Sequence, residues 1–399
     1  MPAVRAVLLS RFISLTGTNM TVVALPWFVL ATTGSTAKMG LVLACQTLPA
    51  FALGIPGGSV VAALGSRRAL IVGDAARAPL LASVPVLHTT GGLSFPVLLV
   101  LVTAIGVFSV PYAAASSSLL PEIVGEDEHE VSRAQASLQV AIQVTGIVGP
   151  VAAGVLIPLI GAPRLLYLDA ASYAASAFVV FAFVRVGRAV AAANRRRGAL
   201  AGVRHVFSDP LLGSIVTVGL VAHVGLAALF ASLPALAFRE LHDARAAGLL
   251  FTADAIGSVL GGLLAMRLAR RVKPLRLGIV GFAFMSAPLW LLTLGTPLAL
   301  AVAVMFLFGI GGPLGVSPIS AIMTTRAPTE IRPQVVAAFL SITSAGTPLG
   351  AAVTGYAIER AGSRFTYGAV AAAMTLATLL LVWCVRRVNA LPAAVPTPS

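Results

Sequence analysis

Gly58-Ser59-Val60-Val61-Ala62-Ala63-Leu64-Gly65-Ser66-Arg67-Arg68 closes one apolar run, and Gly262-Leu263-Leu264-Ala265-Met266-Arg267-Leu268-Ala269-Arg270-Arg271 closes another. Each is a small-residue helix end that breaks into an arginine-capped turn, and the two glycines stand 204 residues apart. A repeat with a period near half the chain, in a very apolar sequence, predicts two similar membrane halves.

Composition supports a lipid-solvated chain. Of 399 residues, 58% are hydrophobic and only 10% charged, with a mean hydropathy of +0.98. A soluble domain carries roughly a quarter charged residues, so this chain has too few to cover a water-facing surface. Spanning a bilayer takes about 20 apolar residues. Twelve such runs are predicted, at 12–31, 39–62, 69–88, 95–118, 133–159, 165–184, 211–237, 247–266, 276–294, 297–322, 334–358 and 366–385. The expected fold is an all-α membrane protein with twelve transmembrane helices in two pseudo-symmetric six-helix bundles. Residues 1–186 form the N-terminal bundle and 187–208 a cytoplasmic linker that can hold a short amphipathic helix. Residues 209–390 form the C-terminal bundle, and 391–399, with three prolines, a disordered tail. Linkers this short leave no room for a soluble catalytic domain.

The net charge of +14 does not point to nucleic acid, because its distribution follows topology. With the N-terminus in the cytoplasm, twenty of the 27 Lys and Arg fall on inner loops and six on outer loops, with Arg77 inside a span. That bias is the positive-inside rule. It predicts a multi-pass inner-membrane protein with both termini cytoplasmic, expected as a monomer in the bilayer. Cys45 and Cys384 lie in spans of different halves, so no disulfide is expected.

Polar side chains inside spans cost about 2.5–3.5 kcal/mol when charged and central, so they need partners or water. Asp74 and Arg77 share a face of span three, which predicts an ion pair near the inner interface, structural or gating rather than substrate-binding. On span five, Gln135, Gln139 and Gln143 repeat every four residues, and Gly146 and Pro150 continue the stripe. That face looks into a cavity or onto another helix. Asn19, His223 and Asp254 are expected near the midplane, with Asp254 the one carboxylate so deep. A deep acid or histidine can exchange a proton, or can be a satisfied buried polar group. Phe230 on span seven completes the candidate cavity set. The pairs Gly54/Gly58, Gly257/Gly261, Gly311/Gly315 and Gly346/Gly350 are GxxxG spacings suited to close helix packing. No GxxxxGK[ST], HExxH, CxxC or GxSxG is present, which argues against an enzyme. No metal and no cofactor are expected.

Gly58 to Leu70 resembles the signature loop of the major facilitator superfamily, GxLaDRxGRRxxL. Gly58, Gly65, Arg67 and Leu70 fit, while Ala62 and Ala63 replace its Asp and first Arg. The second copy keeps Gly262, Leu264, Ala265, Arg267 and Arg270, with Met266 at the Asp position. Gly146-Ile147-Val148-Gly149-Pro150-Val151-Ala152-Ala153-Gly154 is similar to the antiporter motif GxxGPxxGG. Ala24-Leu25-Pro26-Trp27, Thr33-Gly34-Ser35, Leu119-Leu120-Pro121-Glu122 and Asp209-Pro210 resemble the twelve-span drug and siderophore exporters, enterobactin-exporter-like and macrolide-efflux-like.

The resemblance implies a secondary transporter that exports a small amphipathic compound by proton antiport through alternating access. Its cavity would draw on spans one, five, seven, eight, ten and eleven, with Asn19, Gln139, Gln143, His223 and Phe230 meeting the substrate. Asp254 would couple the proton. Gly58, Gly65, Arg67, Arg68, Arg267 and Arg270 would serve the inner gate, with Asp74 and Arg77 standing in for the missing loop acid. Gly146, Gly149, Pro150 and Gly154 would pack span five tightly. An importer or uniporter of the same fold, or a non-transporting membrane sensor, are the alternatives.

Overall fold

A computed structural model describes residues 2–124, 128–184, 199–295, 297–328 and 331–390. The side chains of a few helical residues, Gly54 and Gly58 among them, lie outside the described set, as do residues 185–198 of the linker and the tail 391–399. Among the described residues the chain is helical throughout, without a strand.

The N-terminal half comprises α1 (Pro2–Thr33), α2 (Thr36–Leu64), α3 (Ser66–Thr89), α4 (Phe95–Val124), α5 (Glu128–Ile160) and α6 (Ala162–Phe183). A short helix, α7 (Ala199–Ser208), precedes the second half. There, α8 (Pro210–Arg239) and α9 (Ala244–Leu268) are spans seven and eight. Span nine is α10 (Pro274–Ser286) continued by a 3-10 segment (Ala287–Thr293), and span ten is α11 (Leu298–Arg326). Spans eleven and twelve are built from α12 (Arg332–Ser344) and the long α13 (Gly346–Ala390). Gly362, at φ 82° and ψ 168°, breaks α13 into two arms. Among the described residues the crossings therefore number twelve, as the hydropathy pattern predicts, with Gly362 dividing the continuous helical stretch Gln334–Arg387 into the last two.

Local chemistry sets the ends. Ser35 caps α2 by accepting from the Lys38 N–H at 3.2 Å, and Asp209 caps α8 by accepting from the Leu211 and Leu212 N–H groups at 2.8 and 3.2 Å. Pro210 follows at the first helical position, where its missing N–H costs nothing. Arg326 at the end of α11 pairs with the same Asp209 at 3.1 Å. Gly65 (φ 81°) and Gly161 (φ 85°) turn the chain between α2 and α3 and between α5 and α6, a left-handed conformation that glycine adopts freely.

Large apolar side chains such as Phe178, Phe181, Leu159 and Leu379 point outward and are exposed. A patch of that extent in water would aggregate; in lipid it is the solvated face. The two ends of the bundle are named below by their turns, the Gly161 end and the Gly65 end.

The halves meet along two glycine seams near the Gly161 end. A Cβ on Gly40 of α2 would lie 2.5 Å from the Ala351 carbonyl oxygen and 2.9 Å from Gly355 Cα. On the opposite seam, a Cβ on Gly248 of α9 would lie 2.6 Å from the Pro150 carbonyl oxygen and 3.0 Å from Gly154 Cα. Gly154 and Gly355 are 201 residues apart and Gly40 and Gly248 are 208 apart, so the seams are equivalents under the internal repeat.

Candidate functional site

Between the halves lies a cavity of about 260 Å³. Along α8 it is lined by His223, Leu226, Ala227, Phe230 and Ala231, spaced as one helical face. Facing them are Thr18, Thr21, Val22 and Pro26 of α1, Leu43, Gln46 and Thr47 of α2, Tyr173 of α6, and Thr347 and Ala351 of α13. Mostly apolar walls with a few convergent polar groups suit an amphipathic organic guest. His223 Nδ1 sits 2.8 Å from the Gly219 carbonyl of its own helix. A proton on Nδ1 leaves Nε2 as the nitrogen available to a guest. Phe230 stacks on Phe251 at 5.6 Å and meets Phe308 edge-on at 6.3 Å, so its ring is held by both α9 and α11.

The lining draws on spans one, two, six, seven and eleven. Asn19 stands beside it but turns to α5, donating to Thr145 Oγ1 at 3.3 Å. Gln139 and Gln143 are exposed on α5, about 15 and 9 Å nearer the Gly65 end than Gly149 at 1.5 Å per residue. Asp254 is half-buried on α9 and does not line this cavity. Its backbone carbonyl meets Gly309, where a Cβ would lie 2.2 Å away.

The motif-like stretch of α5 works on two neighbours at once. A Cβ on Gly149 would lie 2.4 Å from Asn19 Cβ, which brings α5 onto α1, while Pro150 and Gly154 form the seam with Gly248. Gly146 faces open space. Gly257 and Gly261 lie against Phe306 and Ile310 of α11, and Gly346 and Gly350 against Leu220 and Val224 of α8. These pairs let helix backbones approach closely.

At the Gly161 end the seam carries charge. Glu359 of α13 accepts from Ser35 Oγ at 2.6 Å and from the Ala37 N–H at 2.9 Å. A carboxylate of the C-terminal half thus sits on the N-terminus of α2, where the helix dipole favours an anion. The Ser35 hydroxyl, and then the Ala37 N–H, hold Glu359 below the usual carboxylate range. Arg239 Nη2 donates to the Gly34 carbonyl at 3.4 Å, and Trp27 of α1 meets Phe238 of α8 edge-on at 5.1 Å.

At the Gly65 end, Arg67 donates to the Val184 and Phe181 carbonyls, capping the end of α6. Ser66 Oγ donates to Glu122 Oε1 at 2.5 Å. Arg68, Arg267 and Arg270 are exposed.

Asp74 and Arg77 form the expected ion pair, buried inside the N-terminal half. Ser176 Oγ donates to Asp74 Oδ2 at 2.6 Å. The Arg77 guanidinium lies between the rings of Tyr112 and Tyr173, at 4.0 and 4.4 Å. Their partners among the described residues belong to α1, α3, α4 and α6, so in this conformation the pair braces one bundle.

One expectation needs correction. Asp254 is not the only deep carboxylate: Asp169 of α6 has no solvent exposure at all. Thr21 Oγ1 donates to its Oδ2 at 2.6 Å and Ser172 Oγ to its Oδ1 at 3.0 Å. In sequence Asp169 stands only five residues beyond Arg164, which reads as a span end. Its partners come from α1 and from the next turn of α6, a pairing no local pattern shows.

Twelve crossings among the described residues, in two repeated halves around a cavity, define a membrane transporter of the major facilitator fold, not an enzyme. The chain belongs to the transmembrane secretion effector family of that superfamily, whose model matches residues 1–396. It is 27% identical over 394 residues to the multidrug efflux pump Tap of Mycolicibacterium fortuitum, covering 95% of both chains. Against Tap of Mycobacterium tuberculosis (strain ATCC 25618 / H37Rv) it is 25% identical over 383 residues, covering 92% of this chain and 89% of the pump. Among solved structures, a point mutant of the nucleoside transporter NupG matches with a TM-score of 0.82 at 14% identity, covering 96% of this chain and 99% of that one. A bacterial homologue of the lysosomal transporter Spinster, inward-facing and occupied, matches at 0.79 and 15% identity, covering 99% and 100%.

Proposed function

We propose that this protein is an efflux pump of the inner membrane, exporting small amphipathic organic compounds in exchange for protons by alternating access. The observation that carries the reading is the cavity itself. Both halves line it, its walls are apolar with scattered hydroxyl, amide and imidazole groups, and at the Gly161 end the halves are joined by glycine contacts, Glu359, Arg239 and the Trp27–Phe238 ring pair. With the termini in the cytoplasm, as the charge bias implies, the closed Gly161 end faces outward. Similarity to Tap supports the export direction.

Proton exchange supplies the energy in this reading, about 2.3 kcal/mol per charge for each 100 mV. Asp254 is the coupling acid proposed for the C-terminal half; its carboxylate is half-buried in a span and has no counter-ion among the described residues.

Everted membrane vesicles test the reading. Acidifying the lumen should drive ethidium into vesicles that hold the wild-type protein, and collapsing the gradient should release it. Entry that stops at equilibrium and ignores the proton gradient would mark a uniporter, and movement in the opposite sense an importer. Binding of dye with no flux under any gradient would mark a sensor. The Asp254→Asn variant should bind ethidium but lose the response to the gradient.

A further inference from the structure

The N-terminal half buries two carboxyls of different kinds. Asp74 has a counter-ion, Arg77, and Arg11 lies close by, 4.9 Å over the Tyr112 ring. Asp169 has hydroxyls only. Its Oδ2 takes the Thr21 Oγ1–H at 2.6 Å and its Oδ1 the Ser172 Oγ–H at 3.0 Å, with no salt bridge among the described residues. An ionised carboxylate without a cation is costly at that depth. A protonated one donates its single O–H to one of these hydroxyls and still accepts from the other.

Thr21 is the link to water. Its side chain lines the cavity on one side and touches Asp169 on the other. On this route one hydroxyl separates a fully buried acid from the space where cargo would sit, and Tyr173 is a second hydroxyl that touches both. Tyr173 lines the cavity beside it, and its hydroxyl bonds Thr18 Oγ1 at 3.0 Å.

Space for the acid is provided by Gly17. A Cβ there would lie 2.3 Å from Asp169 Oδ1 and 2.2 Å from Ser172 Oγ. The absence of a side chain at Gly17 is what lets the carboxyl sit between α1 and α6.

We propose that Asp169 is a proton-exchange site of the cavity in the N-terminal half, reached through the Thr21 hydroxyl. In the loading step a cavity hydronium gives a proton to Thr21 Oγ1. Thr21 passes its own hydroxyl proton along the hydrogen bond to Asp169 Oδ2. The products are water, an intact threonine hydroxyl and a neutral carboxylic acid; the reverse returns the proton to the cavity. The titratable and charged groups around the acid are Tyr173 on α6, Asp74 and Arg77 on α3, Tyr112 on α4 and Arg11 on α1, with His223 of α8 across the cavity. Beyond Arg133, α5 carries no titratable side chain.

The first experiment needs no cargo and does not depend on the efflux reading. Purified protein in detergent and weak buffer is stepped from about pH 8 to about pH 5, and proton uptake is counted with a pH dye. Asp169→Asn should take up one proton fewer per molecule than wild type. Thr21→Val should take up the full number at least ten-fold more slowly, and Thr21→Ser should restore the rate. Equal counts in wild type and Asp169→Asn would overturn the proposal and leave Asp169 a brace between α1 and α6. If Asp169→Asn does not fold, the rates of the two Thr21 variants decide, and equal rates overturn it.

A second measurement, in everted vesicles with ethidium, deepens the proposed function and rests on it. Asp169→Asn should lose gradient-driven accumulation. If it keeps that accumulation while Asp254→Asn loses it, coupling does not use Asp169 and the proposal fails. Wild-type vesicles that ignore the gradient, with the proton count upheld, would instead sink the efflux reading and leave the site.

Discussion

A Cβ on Gly355 would lie 2.8 Å from Gly40 Cα and 2.3 Å from the Thr36 carbonyl oxygen, so α2 and α13 touch backbone to backbone across the halves. Neither atom can be moved by turning a side chain. Gly355→Ala must therefore push the seam apart, at a cost of about 1–3 kcal/mol for overpacking. That converts to a roughly 5- to 150-fold shift away from the closed Gly161 end. A cysteine at Ala231, in a background lacking Cys45 and Cys384, reports it: impermeant maleimide added from the Gly161 side should label the Ala variant faster.

Glu359 gives the same end a dependence on pH. Its carboxylate is held below its ordinary value by Ser35 and the Ala37 N–H. A depressed acid stabilises the closed seam fully above the ordinary carboxylate pKa, and the effect fades as pH falls through the lowered value. Acid should therefore speed maleimide labelling at the Ala231→Cys position. Glu359→Gln should label fast at neutral pH and show little further change in acid. A Gln variant that keeps the wild-type pH profile would remove Glu359 from the seam.

Arg77 should matter more for stability than for cargo. Removing it leaves Asp74 buried without its partner, a loss of about 3–5 kcal/mol. Arg77→Ala should lower the melting temperature in detergent sharply, and the Asp74→Ala/Arg77→Ala double variant should recover part of the loss. Arg77→Lys should fall between, because an ammonium keeps the charge but not the planar stack between Tyr112 and Tyr173.

His223 and Phe230 should set what the cavity holds. His223→Ala should weaken ethidium binding about ten-fold, the value of one good hydrogen bond, with gradient response intact. Phe230→Ala should favour bulkier dyes by opening the space beside Phe251. Fluorescence titration of both variants checks this, and unchanged affinities would place cargo elsewhere.

Much of the fold was legible because lipid imposes a simple rule on sequence. Apolar length marks each crossing, and the break at Gly362 falls in the charged stretch between the last two predicted runs. The cavity was harder. His223 and Phe230 could be marked, and spacing at 223, 226, 227, 230 and 231 would have extended the face. Thr21 and Gln46 carry no such mark, because threonine and glutamine serve equally in packing. The amide stripe of α5 has the right spacing for a lining, yet Gln139 and Gln143 stand at another depth, and depth is not encoded in spacing. Asp169 was missed because its partner Thr21 is 148 residues away.

The two seams have a further consequence for how such a pump can change over time. Where the halves meet closest, the surfaces are carbonyls and bare Cα atoms, so little side-chain identity is written into the moving joint. The walls of the cavity, by contrast, are side chains carried mainly by α1, α2 and α8. A lineage can therefore exchange wall residues and acquire new cargo while the joint keeps its fit, separating what the machine recognises from how it moves.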